Sequence, residues 1–478
     1  MPFSSIVVTI LAAGKGTRMQ SAKPKVLQPL AKKPLLGHVF DTAFDLSPNR
    51  ILPVIGHGAG QVKAAFAFDN LAHRLAEIGM LDESLVTLPE VIWVEQTEQL
   101  GTGHAVQQVL PHLKDEEVLL ILYGDVPLTR KETLEDLLDL VDDTHPLALL
   151  TVNLSVPTGY GRIIRDQHLN VQAIIEEKDA TLEQKQVQEV NTGIMAVRAK
   201  QARQWLSALQ NNNAQGEYYL TDIIAMAVAD GFHIRTTQPA DETEVLGVND
   251  KVQLQQLERI YQQQQAERLM RQGVTLLDAD RIDIRGQVSV GRDVEIGVNV
   301  VFEGDVQLGD GVVIGDHCIL KDTVLGDQVR VEPFSHLDGA KVGQACVIGP
   351  YARLRPGTEL ADEVKIGNFV ETKKAQIGRG SKVNHLSYIG DTLMGGGCNI
   401  GAGTITCNYD GVNKHQTVIG ERVFVGSDTQ LVAPVEVGDG ATIGAGSTIT
   451  KRVPANELTL SRSKQVTIKN WQKPPKKS

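Results

Sequence analysis

Residues 290–320 read VGRDVEIGVNVVFEGDVQLGDGVVIGDHCIL. Val290, Ile296, Phe302, Leu308, Ile314 and Leu320 stand six apart, and glycine follows several of them, as at Gly291, Gly297, Gly309 and Gly315. Neither an α-helix nor a lone strand repeats every six residues. A six-residue period predicts a parallel β-helix, with one apolar residue per repeat pointing into a narrow interior. One coil cannot bury its apolar side alone, so stacked coils must share a core. The period slips by one at Leu325, then continues through Val331 and Leu337. It slips again to Val342, Ile348, Leu354, Leu360 and Ile366, and returns at Ile377, Val383 and Ile389. A last clean run is Ile419, Val425, Leu431, Val437, Ile443 and Ile449. Between Leu386 and Ile419 the repeat breaks. A break in a regular solenoid costs packing, so a loop with a functional role is expected there.

Upstream the periodicity differs. Ile6–Leu11, Val118–Leu122 and Leu147–Val152 are short apolar runs, with helix-like stretches such as Lys131–Val141 between them. Alternation of this kind predicts βαβ units, a mostly parallel sheet and helices on both faces, a Rossmann-like α/β domain. Ligands in such sheets sit at the carboxyl ends of the strands. Residues 252–272 are Gln-rich and Gly-free, with Leu254, Leu257 and Tyr261 at helical spacing, which predicts a connecting helix. The expected organisation is therefore an α/β domain at 1–251, a linker helix at 252–272 and a left-handed parallel β-helix of hexapeptide repeats at 273–478.

Composition narrows the function. A net charge of −11 argues against a general nucleic-acid binder. The Lys-rich end, Lys473 to Lys477, reads as a solvated tail. Four cysteines without a CxxC pair are too sparse for a disulfide framework and suit a reducing cytoplasm. Ile6 to Ala13 has no basic segment before it and runs into Gly14-Lys15-Gly16, so it reads as a buried strand and not a signal sequence. No stretch approaches the ~20 apolar residues of a membrane helix.

Two Gly-rich turns and one carboxylate carry chemistry in the first half. Leu11, Ala12, Ala13 and Gly14 lead into Lys15-Gly16-Thr17-Arg18-Met19, and Pro24-Lys25 follows. Glycines let backbone N–H groups approach phosphate oxygens, while Lys15, Arg18 and Lys25 add positive charge for a triphosphate. No GK[ST] closes the turn, so it is not the Walker pattern. Gln96 and Gln99-Leu-Gly101-Thr102-Gly-His104 offer amide and backbone groups that can read a uracil edge. Tyr123-Gly124-Asp125 places a carboxylate just past an apolar run, well suited to Mg²⁺ with its preference for oxygen ligands and substrate phosphates.

This set resembles the sugar-1-phosphate nucleotidyltransferases. With the six-residue repeat behind it, the whole chain is similar to the bacterial bifunctional N-acetylglucosamine-1-phosphate uridyltransferases/glucosamine-1-phosphate N-acetyltransferases. Further matching pieces are Pro157-Thr-Gly-Tyr-Gly-Arg162, Glu176, Asn191-Thr-Gly193, Gly216-Glu-Tyr-Tyr-Leu-Thr-Asp222 and Val248-Asn249. The resemblance implies that Gly161, Glu176 and Asn191 contact the sugar nucleotide. It implies that Asp125 and Asn249 hold Mg²⁺, and that Gln96, Gly101 and Thr102 bind the uridine. Arg18 and Lys25 are the implied catalytic cations for attack of the sugar 1-phosphate on UTP. Residues from about 59 to 89 look longer than the family usually has, which predicts a surface insertion remote from the phosphates.

In the second half, polar residues crowd one part of an aliphatic solenoid: Asn384-His385-Leu-Ser-Tyr388, Asn399-Ile-Gly-Ala402, Cys407-Asn408-Tyr409 and Lys414. The same resemblance implies that His385 is the general base that deprotonates the glucosamine amine as it attacks acetyl-CoA. Arg355, Lys373 and Lys414 are implied for the sugar phosphate, and Tyr388 and Asn399 for the sugar. Ala402, Asn408, Tyr409, Ser427, Ala445 and Arg462 map to the acetyl-CoA site. Cys407 is given no catalytic role, and Cys318 and Cys346 are expected to fill the interior. Members of the family are trimers with acetyl sites between neighbouring β-helices, and they supply cell-envelope polysaccharide synthesis.

Two rivals share the fold. A related enzyme could use another sugar or nucleotide. A regulatory scaffold would typically lack the loop cations or the metal carboxylate, whereas this chain keeps Arg18, Lys25, Asp125 and His385.

Overall fold

The computed structural model describes residues 5–66 and 89–474. The chain divides into two compact units between Tyr261 and Gln262.

In the first unit, Ile6–Ala12 is buried along its whole length. It pairs in parallel with Arg50–Ile55 on one side and Val118–Tyr123 on the other. These are the continuous apolar strands expected when both faces of a sheet are covered, and apolar clusters pack on each face. Beyond Val118–Tyr123 the sheet turns antiparallel. The ten-residue strand Glu189–Arg198 runs antiparallel to Val118–Tyr123, Leu147–Asn153 and Arg162–Arg165. The sheet is thus mixed: among the described residues five of its strand pairings are parallel and four antiparallel. Apolar runs fixed where strands lie, but strand direction depends on connections that periodicity does not encode. Of the expected insertion at 59–89, Ala59–Ala65 is a helix, and residues 67–88 lie outside the described residues.

The connecting helix runs Lys251–Arg271. Its first half belongs to the first unit, where Leu257 joins Met19, Leu30, Leu35 and Val248 in a small core. Its second half belongs to the second unit, where Ala266 and Leu269 enter the solenoid core. Gln262 exchanges two hydrogen bonds with the Ile284 backbone. The helix is therefore shared between two cores, and the division falls inside it.

The second unit is a parallel β-helix. From Ile296 onward every repeat position read from the sequence is buried. Stacked partners stand 17 or 18 residues apart, as in Ile284↔Phe302, Leu308↔Leu325 and Leu360↔Ile377. The one-residue slips of the period are these shorter coils. The repeat also continues where it had looked broken: Ile400 and Thr406 are buried, and Thr406 pairs with Leu431. Earlier, Thr372 fills the position skipped between Ile366 and Ile377 and pairs with Ile389, and both threonines are fully buried. Their hydroxyls bond inside the coil, Thr372 with Thr358 and Thr406 with the Gly390 carbonyl, so a polar residue fills an apolar position without an orphaned group. The true irregularity is one long coil: Met394 pairs with Ile419, 25 positions on. The extra residues form an excursion at 408–415. Cys318 and Cys346 are buried, as expected of interior fillers. No helix among the described residues is long and apolar enough to cross a membrane.

Candidate functional sites

In the first unit the Gly-rich turn leaves the carboxyl end of Ile6–Ala12. Gly16 sits at φ 57°, and a Cβ there would stand 2.6 Å from Lys25 Cβ. This close approach is why a lysine nine residues downstream belongs to the same motif. A cavity of about 340 Å³ is lined by Leu11, Ala12, Ala13, Gly14, Lys25, Gln96, Gly101, Thr102, Tyr123 and Asp125. All ten come from the sequence-derived set, and Gln99, Ala105 and Glu217 complete the wall with Val26. Gln96 is buried, and its amide donates to the Gly101 carbonyl at 3.1 Å. Thr102 and Gly103 are laced to the segment 218–220: Gly103 N–H donates to the Tyr218 carbonyl at 2.8 Å, and Leu220 N–H to Thr102 Oγ1 at 3.2 Å. The Gly216–Asp222 motif therefore backs the nucleotide-reading turn.

A second cavity of about 260 Å³ shares Tyr123 and Asp125 with the first and adds Arg18, Gly159, Tyr160, Gly247 and Asn249. Gly161, Glu176 and Asn191 converge beside it. Asn191 N–H donates to the Gly161 carbonyl at 2.8 Å. A Cβ on Gly161 would stand 3.5 Å from both Glu176 carboxylate oxygens. Burial pushes the Glu176 carboxyl up, against a hydrogen bond from Thr221. Burial also pushes the Tyr123 hydroxyl far up, helped by the negative charge of Glu176 and Asp125, so Tyr123 stays neutral at physiological pH. Sequence reading missed Tyr160, Gly247 and Gln253 as lining residues. Tyr160 lay inside a quoted motif, and Gly247 beside Asn249.

Asp125 and Asn249 face one cation already, the Lys25 ammonium. Lys25 Nζ donates to Asp125 Oδ2 and stands 3.4 Å from Asn249 Oδ1. A carboxylate and a carboxamide oxygen turned to one positive charge, beside a phosphate-sized cavity, fit a hard divalent cation such as Mg²⁺.

In the second unit His385 ends the strand Lys382–His385, in register with Asn368. The imidazole is exposed, and its Nδ1 lies 3.0 Å from Asn368 Oδ1. With the carbonyl oxygen accepting, Nδ1 carries the proton and Nε2 keeps a free lone pair. Asn368 was missed from sequence, although it lies one coil before His385 on the same corner. Arg355, Lys373 and Lys414 do converge. The Lys373 ammonium is held below the usual lysine range, first by Lys414, with which it is in hydrogen-bond contact, and then by Arg355. Three cations crowded together, two half-buried and Lys414 exposed, can seat a phosphate. Glu371 accepts from Arg355 at 2.7 Å and orients it.

The excursion at 408–415 carries Lys414. Asp410 organises it by accepting from Val412 N–H, Asn413 N–H and His415 Nε2, at 2.8, 2.6 and 2.7 Å. Asn408 donates to Asp391 and lies 3.4 Å from the Tyr388 hydroxyl. Asn399 lies on another sheet, between Lys382 and Phe424. Ala402, Ser427 and Ala445 stack on one corner. The Ala402 carbonyl accepts from Asp428 N–H and the Ser427 carbonyl from Gly446 N–H. A Cβ on Gly446 would touch the Arg462 side chain at 3.6 Å, so Arg462 extends this column. Asn408 and Tyr409 fall with the Tyr388 group and not in that column. Burial pushes the Cys407 thiol up, away from nucleophilic thiolate.

Comparison with known proteins matches these two halves in turn. The family model for the MobA-like NTP transferase domain matches residues 8–276. The GMPPB C-terminal domain matches 284–377, and the bacterial transferase hexapeptide, six repeats, matches 416–451. Bifunctional protein GlmU of Marinobacter nauticus is 57% identical over 473 residues, covering 99% of this chain and 100% of that one. The chain belongs to the GlmU family. The GlmU proteins of Nitrosospira multiformis and Cellvibrio japonicus are similarly close, 56% identical over 475 residues and 57% over 471. Each alignment covers at least 98% of this chain and 99% of the relative. As a GlmU-family protein the chain is a bifunctional transferase, with a nucleotidyltransferase half and a hexapeptide transferase half. Between the two C-terminal matches lie residues 378–415, which hold His385 and the excursion.

Proposed function

We propose that the β-helix half acetylates glucosamine 1-phosphate with acetyl-CoA, and that the α/β half then couples the product to UTP, giving UDP-N-acetylglucosamine and pyrophosphate. The observation that carries this reading is the meeting of Arg355, Lys373 and Lys414 on the solenoid that also presents His385. A phosphate held there sets a sugar amine beside an imidazole. The amine nitrogen attacks the thioester carbonyl, Nε2 of His385 takes a proton from that nitrogen, and the thiol of coenzyme A leaves. An imidazole suits this because its unperturbed pKa lies near neutrality. The column Ala402–Ser427–Ala445–Arg462 is read as the seat of acetyl-CoA, and Asn408, Tyr409, Tyr388 and Asn399 as contacts to the two substrates.

In the other half, a phosphate oxygen of N-acetylglucosamine 1-phosphate attacks the α-phosphorus of UTP, and pyrophosphate leaves. Gln96, Gly101 and Thr102 hold the uracil, Gly161, Glu176 and Asn191 the sugar, and Arg18 and Lys25 the phosphates. Mg²⁺ held by Asp125 and Asn249 would offset negative charge building on the α-phosphoryl group. The working form is a cytoplasmic homotrimer, as the family resemblance implies, and acetyl-site groups on the outside of a solenoid, which a neighbouring β-helix would enclose, support it. Domain limits of 1–251 and 273–478, joined by the helix, fit this division of labour.

The test is product analysis by mass spectrometry. Glucosamine 1-phosphate, acetyl-CoA, UTP and Mg²⁺ together should yield UDP-N-acetylglucosamine. Omitting acetyl-CoA should abolish the product, and supplying N-acetylglucosamine 1-phosphate should restore it. Formation of a different nucleotide sugar under these conditions contradicts the substrate assignment.

A further inference from the structure

Lys25 holds a position that a phosphate-binding lysine does not need. Its ammonium reaches past the nucleotide cavity and joins both oxygens assigned to the metal, Asp125 Oδ2 and Asn249 Oδ1. The pair is mostly buried, with 16% of the Lys25 side chain and 15% of the Asp125 side chain exposed. A pair this sheltered is screened less than a surface ion pair. The backbone of Lys25 is pinned by the Gly16 approach and by the 3₁₀ turn Lys25–Leu27. Its four-carbon stem remains a flexible arm with three donors. The same side chain lines the nucleotide cavity beside Gly14. From one anchored backbone position, the ammonium therefore has two seats: the Asp125 carboxylate, or an anion in the cavity.

We propose that Lys25 competes with the divalent cation for Asp125 and Asn249, so that metal entry drives the lysine onto the nucleotide phosphates. Mg²⁺ draws its oxygen ligands to about 2.0–2.1 Å and demands near-octahedral geometry, so an ammonium cannot stay on the same oxygens. In the protein alone the displaced lysine has no new partner, and metal binds weakly. When a triphosphate is present, the displaced lysine gains charge-assisted hydrogen bonds, and metal binds well. Metal and nucleotide are thus made mutually dependent by one side chain. The inference rests on the reading of Asp125 and Asn249 as metal ligands.

The experiment is titration of the nucleotide-free, full-length protein with Mn²⁺, with the free ion read by electron paramagnetic resonance. Lys25→Met and Lys25→Gln should each bind Mn²⁺ about tenfold more tightly than the unsubstituted protein, a size set by removing one sheltered unit charge beside the cation. Lys63→Met removes a charge paired with Glu95 elsewhere and should leave the affinity unchanged. Adding Asp125→Ala to Lys25→Met should abolish the gain. Equal or weaker binding by both Lys25 variants, with binding still lost in Asp125→Ala alone, overturns the competition and leaves the metal site standing. Binding that Asp125→Ala does not change overturns both.

Discussion

The two sites are built by opposite means. The site proposed for the nucleotide is a cavity at the carboxyl ends of buried strands, and several of its groups are held by neighbours in the same unit. Gly103 is laced to Tyr218, Gly161 to Asn191, and Asp125 to Lys25. The His385 site is a patch on the outside of a solenoid. Lys414 is exposed and Arg355 and Lys373 are half-buried, and the cation cluster depends on an excursion that one carboxylate, Asp410, organises. A sheet makes a pocket where its strands end. A β-helix has smooth sides, so its chemistry must be added at a corner and closed by something else. One site should therefore be sensitive to packing, and the other to charge, salt and pH.

Among substitutions away from His385 and Asp125, the largest expected effect lies on the packed side. Gly193 has φ 87°, and a Cβ there would come within 2.5 Å of the Tyr123 ring. Gly193→Val should lower pyrophosphate release by about 10–100-fold, since overpacking of this kind costs roughly 1–3 kcal/mol. Thiol release from acetyl-CoA should be unchanged, and raised salt should not alter the deficit. Comparable loss of both activities would break the contrast.

On the charged side, Lys414→Met should raise KM for glucosamine 1-phosphate roughly tenfold with a small change in kcat, as expected for lost ground-state binding. The gap between variant and unsubstituted protein should shrink as salt rises and screens the cluster. A kcat effect insensitive to salt would mean that Lys414 acts on the reacting atoms.

The pH dependence sharpens this further. Lys414 and Arg355 hold the Lys373 ammonium below the usual lysine range, so Lys373 loses its proton at lower pH than a free lysine. Phosphate affinity should fall as pH rises through that lowered value. In Lys414→Met the main cause of the shift is gone, so the fall should move to higher pH. Initial-rate KM measurements across alkaline pH check the sign, and a fall moved to lower pH contradicts it.

The smallest effect expected is at Asn368. Asn368→Ala removes the acceptor at His385 Nδ1. Thiol release should drop several-fold, within the range of one net hydrogen bond of about 0.5–1.5 kcal/mol. The loss should fall on kcat and leave KM for both substrates unchanged, since Asn368 orients the imidazole and holds no substrate. A rise in KM with kcat unchanged would contradict that role.

Much of this was legible in the residue order, because repeats and glycine turns are local signals. The six-residue period placed the solenoid core correctly from Ile296 to Ile449, and the turn that opens at Leu11 proves to line a cavity. What escaped depends on stacking. Thr406 occupies an apolar position, so the repeat looked broken where it runs on, and the irregularity shrank to 408–415. Asn368 and His385 meet only because coils of 17 residues bring them to one corner. Lys25 reads as a phosphate lysine in sequence, and its place on Asp125 and Asn249 follows from a three-dimensional meeting of residues 100 and 224 positions apart. The antiparallel strand Glu189–Arg198 escaped for a related reason, since direction is set by connections.

The most direct test of two independent chemistries in one chain is a crossed assay. Free thiol and pyrophosphate are read separately for the unsubstituted protein, His385→Ala and Asp125→Ala. His385→Ala should lose about 10²–10⁴ in thiol release, the usual contribution of a general base, while keeping pyrophosphate release from supplied N-acetylglucosamine 1-phosphate. Asp125→Ala should show the reverse. Loss of both activities in either variant, or of neither in both, would contradict the account.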